Sequence, residues 1–267
     1  MRPSVISSSH NPNVKRWRRL LEARGIEQFG QCVISGERLV REVMALFPQH
    51  CREIILSPKK TIDPPFPSWL TSYSVPPPVF EQLDMFGTRF PLLICQIPDF
   101  PVMDLNQSPV GLELLCPLGD PVNVGAVVRT AVAMGVDKII LLRESANPFH
   151  PKAIRTGSGA MFSASFFKGP PISEVPSTGS IVGLDLTGSA LSTFSWPKNV
   201  RMVVGEEGQG TGLLELGKRV TIPISGTINS LNATIAVGMA LYAYRVQYPL
   251  KGEKKGSGGH QAVTRRV

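Results

Sequence analysis

Residues 112–116, Leu-Glu-Leu-Leu-Cys, form a short apolar run that ends in a polar turn. A segment of helical period follows at 124–134, and a second apolar run lies at 138–142. A strand, a turn, a helix and another strand in that order fold most simply as parallel strands with the helix crossing between them. The pattern then continues. A loop bearing Asn147-Pro148 leads to a short helix near 152–156, and further strands are expected at 163–167, 181–186 and 201–204. After a Gly-rich loop come a helix at 212–218, a strand at 220–222 and a final helix at about 232–246, with Asn232 as its N-cap. The expected class is α/β.

The first hundred residues alternate in the same way. Asn11-Pro12-Asn13 starts a helix that 14–24 continue, with Trp17, Leu20 and Leu21 on one side and Lys15, Arg16, Arg18 and Arg19 on the rest. Strands are expected at 31–34 and 52–56, with a helix at 36–46 between them. A Pro-rich stretch, a short helix at 80–83 and a strand at 92–97 close this part. The polar, proline-bearing segment 98–109 reads as a linker. Three regions result: 1–105, 106–247, and a Gly/Lys/Ser-rich tail at 248–267 whose composition suits a disordered segment.

Charge separates these regions. Residues 1–60 carry 11 Lys/Arg against 5 Asp/Glu, and residues 61–105 carry 1 against 5. Residues 106–247 are nearly balanced, while 248–267 carry 5 against 1. Basic charge gathered at the two ends suits a polyanion such as nucleic acid, although a solvated surface gives the same composition. The apolar stretch 231–244 is shorter than the roughly 20 residues of a membrane span. With no signal peptide at the N-terminus, a cytoplasmic protein is expected. Cys32, Cys51, Cys95 and Cys116 are scattered, with no close pair to suggest zinc or a redox motif, and are expected as buried, reduced thiols. His10, His50, His150 and His260 form no ligand cluster in the sequence, and no metal is expected.

Three segments carry the chemistry. In the first, Asn123 sits at a strand-to-helix turn, where open α/β sheets bind ligands, and Arg129 projects from the helix that follows. The same two residues also read as a helix cap and a surface cation. The second, Gly205-Glu206-Glu207-Gly208-Gln209-Gly210-Thr211-Gly212, lacks both the GxGxxG spacing and a Walker lysine, which disfavours a nicotinamide oxidoreductase. Its two carboxylates would repel a pyrophosphate, so a neutral or cationic ligand fits better. The third runs from Ile222-Pro223 through a polar loop to Ser230-Leu231-Asn232, a strand exit and a helix start within eleven residues.

Taken in order, the three segments resemble the SpoU (TrmH-type) family of the SPOUT methyltransferase superfamily over about residues 110–247. Asn123, Gly125 and Arg129 match its Asn-x-Gly-x-x-x-Arg motif. Gly205, Glu207 and Gly208 match Gly-x-Glu-Gly, and Ile222, Pro223, Ser230, Leu231 and Asn232 match the third motif. Glu206 and Asn229 depart from the usual residues at their positions. The opening residues 6–15, with Ser35-Gly36-Glu37-Arg38, resemble an L30e-like RNA-binding module that precedes the catalytic domain in one branch of the family.

The resemblance implies a trefoil-knot methyltransferase domain at 106–247, a smaller substrate-binding domain at 1–105, S-adenosylmethionine as cofactor, and a homodimer. The substrate it implies is RNA, methylated at the ribose 2′-oxygen, with large-subunit ribosomal RNA favoured over transfer RNA. A non-catalytic RNA-binding protein on the same scaffold is the alternative from another class. Catalytic roles fall on Asn123, Arg129, Glu207, Ser230 and Asn232, and cofactor contacts on Leu184, Gly205, Ile222 and Leu231. Arginine stays protonated, so Arg129 is expected to clamp the developing alkoxide rather than act as a base. The last helix is apolar nearly all round, which calls for burial on the sheet side and on a partner side.

Overall fold

The computed structural model describes residues 3–57, 66–177, 179–205, 218–226 and 230–250. Two sheets dominate. The N-terminal part runs β1 (Ser4–Val5), α1 (Pro12–Arg19), α2 (Ala23–Phe29), β2 (Gln31–Ile34), α3 (Glu37–Leu46), β3 (Cys51–Leu56), β4 (Thr71–Ser74), α4 (Pro77–Leu83) and β5 (Leu92–Gln96). Its five strands lie in the order β1-β4-β3-β5-β2. The two strand pairs that involve β5 are antiparallel and the rest are parallel.

Side-chain alternation along β5 divides the core. Leu92 and Ile94 face a cluster formed with Val14, Trp17, Leu20, Val79 and Phe80 from α1 and α4. Leu93 and Cys95 face the other way, toward Val40 and Val43 of α3, in a core that continues into the second half of the chain.

The expected helix over 14–24 is two helices. The chain turns after Arg19, and a β-carbon at Gly25 would collide with the Arg19 carbonyl, so glycine lets α2 fold back onto the end of α1. The basic face of α1 is also only partly free. Arg16 pairs with Glu53 at 2.7 Å, and Trp17 Nε1 donates to the same carboxylate at 2.8 Å. Strands β1 and β4 were not expected. Both are short and lie at or next to the sheet edge, where the hydrophobic pattern is weakest.

The second half contains β6 (Leu112–Cys116), α5 (Pro121–Ala133), β7 (Lys138–Leu141), α6 (Pro151–Gly157), α7 (Ala160–Ser163) and β8 (Phe166–Lys168). It continues with β9 (Ile181–Ala190), β10 (Val200–Val204), β11 (Lys218–Thr221) and α8 (Ala233–Gln247). All six strands are parallel, in the order β11-β9-β10-β6-β7-β8. The alternating strands and helices thus produce the parallel sheet that the sequence requires. Ser163, expected in a strand, closes α7 instead, and Lys218 belongs to β11 rather than to a helix. Residues 212–217, the tail from 251 onward, and the stretches 206–217 and 227–229 on which the expected knot depends lie outside the described residues.

The linker expected at 98–109 is irregular apart from one isolated bridge, but it is pinned. Arg201, fully buried in β10, donates to the carbonyls of Leu105 at 2.7 Å and Gln107 at 2.6 Å. Its Nε donates to Glu113 at 2.8 Å, and Lys138 reaches the same carboxylate at 2.9 Å. A buried arginine must satisfy its donors, and these acceptors do so. Among the described residues, no helix is long and apolar enough to cross a membrane.

Candidate active site

In a parallel sheet every strand ends on the same edge, and ligands collect there. Leu184 lies on β9 opposite Val204, the last residue of β10, so Leu184 and Gly205 are neighbours at that edge. Ile222 follows β11 directly, half-buried against the core. The β9–β11 register jumps here, from Gly183 opposite Arg219 to Ser189 opposite Val220. Residues 184–188 therefore bulge out of the ladder. Gly188 makes this possible at φ +143°, because a β-carbon there would strike the Arg219 carbonyl. Thr221 Oγ1 closes the bulge by donating to Leu186 O at 3.0 Å. Three of the four expected cofactor residues thus lie at or beside paired strand ends, and Leu231 is the residue before the α8 cap.

Helix α5 begins at the same edge, after β6. Its cap is Asp120, whose Oδ1 accepts from the backbone N–H groups of Val122 at 2.6 Å and Asn123 at 3.0 Å. Asn123 is therefore not the cap. It is the third residue of the helix, which begins three residues earlier than the sequence suggests, because Asp120 followed by Pro121 is the stronger start signal.

Asn232 does cap α8, with Oδ1 accepting from Thr234 N at 2.9 Å. Its amide nitrogen is not used by this cap. Helices α5 and α8 pack side by side. A β-carbon at Gly238 would lie 3.7 Å from Thr130 Cγ2, and Arg245 Nε donates to Met134 O at 2.6 Å at the far end. Contacts that advance together along both helices mean that the two run parallel. Their N-termini, with Asn123 and Asn232, therefore open on the same side of the molecule. Arg245 also places a cation on the C-terminal carbonyls of α5, which favours the helix dipole.

Arg129 is exposed on α5, on the face it shares with Val122, Ala126 and Ala133. Among the described residues no carboxylate forms a salt bridge with it. Ser230 is exposed just before the α8 cap. Glu207, with Gly208, lies outside the described residues.

Two features of this region were not read from the sequence. Helix α6 crosses α5 so closely that a β-carbon at Gly125 would collide with Ala153 O, and one at Gly157 would lie 2.9 Å from Gly125 O. The motif glycine is thus a packing requirement. The second is Thr234, whose Oγ1 is buried in the first turn of α8 with no hydrogen-bond partner among the described residues. A buried polar atom left unpaired is costly, which suits a polar ligand at this position. His150 caps α6 with Nδ1 accepting from Lys152 N at 3.2 Å. Burial, aided by the nearby Lys152 charge, holds its pKa below the usual histidine value, so it serves as a neutral cap.

The profile of the SpoU rRNA Methylase family matches residues 114–242. The Ribosomal RNA small subunit methyltransferase G 2 of Syntrophobacter fumaroxidans is 38% identical over 90% of this chain, and the chain spans 48% of that protein. The 23S rRNA (guanosine(2553)-2'-O)-methyltransferase RlmP of Bacillus subtilis is 25% identical over 90% of this chain and 98% of its own length. An AdoMet-bound rRNA methyltransferase from Sinorhizobium meliloti superposes with a TM-score of 0.73 at 24% identity, over 92% of this chain and 98% of that one. The match opens inside β6 and closes inside α8, so it encloses all three motif segments, α5 and the first two thirds of α8. Residues 114–242 are thus a region of the SpoU rRNA Methylase family, the family that the three motif segments resemble.

Proposed function

We propose that this chain methylates a ribose 2′-oxygen of ribosomal RNA, using S-adenosylmethionine. One observation carries the reading: parallel α5 and α8 open Asn123 and Asn232 toward the sheet edge that bears Leu184, Gly205 and Ile222. When bound, the cofactor supplies a methyl group on a positively charged sulfur. Gly205, Leu184, Ile222 and Leu231 would hold it, largely through backbone groups at strand ends, and the Thr234 hydroxyl, without a partner among the described residues, fits a polar ligand. A backbone-lined edge, followed in sequence by the carboxylates Glu206 and Glu207, suits a cationic sulfonium.

The rest of the chemistry is positioning and charge. The 2′-hydroxyl must lose a proton and attack in line. Arg129 keeps its proton, so it clamps the alkoxide and the adjoining phosphate, while the proton leaves to phosphate or water. Asn123, Ser230 and Asn232, with Glu207, orient the ribose. Large-subunit RNA is favoured over transfer RNA. The name of the Bacillus subtilis relative specifies 23S RNA and a 2′-oxygen, and it matches this chain nearly end to end.

Residues 1–105 serve as the RNA-binding domain and 106–247 as the catalytic one, knotted around the cofactor, in a cytoplasmic enzyme. A homodimer is supported by α8, where Ile235, Met239, Tyr242 and Val246 form an exposed apolar stripe. Helix α5, packed against α8, has its own exposed face carrying Val122 and Arg129. A second subunit over both stripes would take Arg129 out of water, where its charge acts more strongly.

An alkaline ladder tests the chemistry. Methylating a 2′-hydroxyl protects the adjacent phosphodiester, so ribosomal RNA from cells lacking the gene, treated with enzyme and cofactor, should lose one band. A complete ladder from stoichiometrically labelled RNA, with the methyl recovered on a nucleobase, overturns the assignment. Loss of a band in transfer RNA alone overturns the ribosomal substrate.

A further inference from the structure

Three cysteines that are far apart in sequence meet in the N-terminal sheet. Cys95 of β5 lies directly opposite Cys32 of β2 on one side and Cys51 of β3 on the other. All three are free and buried. Opposed residues on antiparallel strands have β-carbons about 4.5–5.5 Å apart. A disulfide needs about 3.5–4.5 Å, so either pair closes with a modest contraction. Cys95 bonds to only one neighbour at a time.

The surroundings select Cys51. It is the first residue of β3, and the ladder to β5 is broken by a bulge between Cys51 and Glu53, so the backbone has room to adjust. Cys32 lies in an unbroken register, with Gln31 opposite Gln96 and Val33 opposite Ile94. The thiolate is the reactive form. A hydrogen bond from Cys95 lowers the Cys51 pKa; burial opposes this, and the neighbouring Arg52 charge adds to the lowering. Burial pushes Cys32 and Cys95 well up. One thiol is thus prepared to attack and its neighbour to resolve.

The pair also borders the junction between the two sheets. Cys51 Sγ donates to Phe47 O at 3.6 Å, and the Phe47 ring stacks on Phe162 of α7 with centroids 5.6 Å apart. His50 packs on the same Phe162 ring at 5.3 Å and bonds to Gln96 O at 3.0 Å, so the residue before Cys51 touches α7 and is bonded to the residue after Cys95.

We propose that Cys51 and Cys95 are a peroxide-responsive dithiol whose oxidation is felt at the Phe47–Phe162 contact. The Cys51 thiolate attacks one oxygen of hydrogen peroxide. The O–O bond breaks, Cys51 becomes a sulfenic acid, and the departing hydroxide takes a proton to become water. The Cys95 sulfur, as it gives up its proton, then attacks the Cys51 sulfur. The S–O bond breaks, a second water leaves, and a disulfide remains. Two thiols have lost two electrons and two protons, and the peroxide has become two waters. The disulfide also removes the proton that Cys51 donated to Phe47 O.

The test is peptide mapping without reduction, on the full chain treated with hydrogen peroxide and then alkylated. A Cys51–Cys95 cross-link is expected, lighter by two hydrogens and reversed by dithiothreitol. It should be lost in Cys51→Ser and kept in Cys32→Ser. Hydrogen exchange at residues 160–163 should rise on oxidation. A Cys32–Cys95 link, or full alkylation of Cys51 and Cys95 after a dose that oxidises a free cysteine peptide, overturns the pair. The wild-type map decides this even if a variant fails to fold. Unchanged exchange in α7 despite the cross-link overturns the coupling.

Discussion

The α-hydrogen of Gly125 faces the carbonyl oxygen of Ala153, and a methyl group in its place would collide with that oxygen. The neighbour is backbone, so it has no rotamer by which to yield. Gly125→Ala should therefore destabilise the chain by about 1–3 kcal/mol or more, the usual range for overpacking. Its urea midpoint should fall, whereas Ala126→Ser on the more open face should hold near wild type. A Gly125→Ala variant of wild-type stability would mean that α6 does not lie on α5 in this way.

Arg129→Ala should lower turnover by about 100-fold or more, the scale expected of a group that stabilises transition-state charge. Cofactor affinity should stay within a few-fold, because the guanidinium is assigned to the RNA oxygen. Titration calorimetry and single-turnover rates separate the two. A variant with most of its turnover intact rules out the clamp.

Asn232 has a capping role and a catalytic role that substitution can divide. Asn232→Asp keeps an oxygen for Thr234 N, so thermal stability should be retained while turnover collapses with the loss of the amide donor. Asn232→Ala should lose about 1 kcal/mol as well. If Asn232→Asp is fully active, the residue is a cap and nothing more.

The apolar stripe on α8 predicts a concentration-dependent assembly. Tyr242→Asp places a charge in its middle, where a buried unpaired charge is strongly disfavoured. Sedimentation should show monomers for this variant and dimers for the parent, with methylation lost alongside. A dimeric variant would move the interface elsewhere.

The Glu113 cluster predicts acid sensitivity. Burial opposes ionisation of Glu113, but hydrogen bonds from Lys138, the Val110 N–H and Arg201 outweigh it and lower its pKa. A carboxylate whose folded pKa is depressed contributes stability above its unfolded pKa of about 4.3, and loses it as pH falls through the folded value. Unfolding midpoints for the wild type should drop over that acid window, and Glu113→Gln should flatten the drop while lowering stability at pH 7. Equal pH slopes for the two proteins would remove Glu113 from the account.

Sequence periodicity was enough for most of the second sheet. Residues 112–116 and 138–142 are apolar runs bounded by polar turns, and such runs become central parallel strands whatever surrounds them. It failed where local signals compete. Residues 14–24 keep helical spacing, yet the chain turns after Arg19, and Gly25 of α2 packs against the carbonyl of Arg19. Asp120-Pro121 displaced Asn123 from the cap because a carboxylate beside proline starts a helix more strongly. Leu184 lay in a readable strand, but nothing local marks the five-residue bulge it opens.

The sequence by itself determined the strands, the helices, and the motif residues Asn123, Arg129, Gly205, Ile222 and Asn232, since each depends on residue type and short spacing. Tertiary structure decided which of these meet. Leu184 and Gly205 are neighbours only because β9 and β10 pair in parallel, and Asn123 and Asn232 share an edge only because α5 and α8 run the same way. Cys32, Cys51 and Cys95 are scattered along the chain and adjacent in the sheet. Their meeting is a matter of strand register, which depends on how whole faces bury against one another and is written in no single segment.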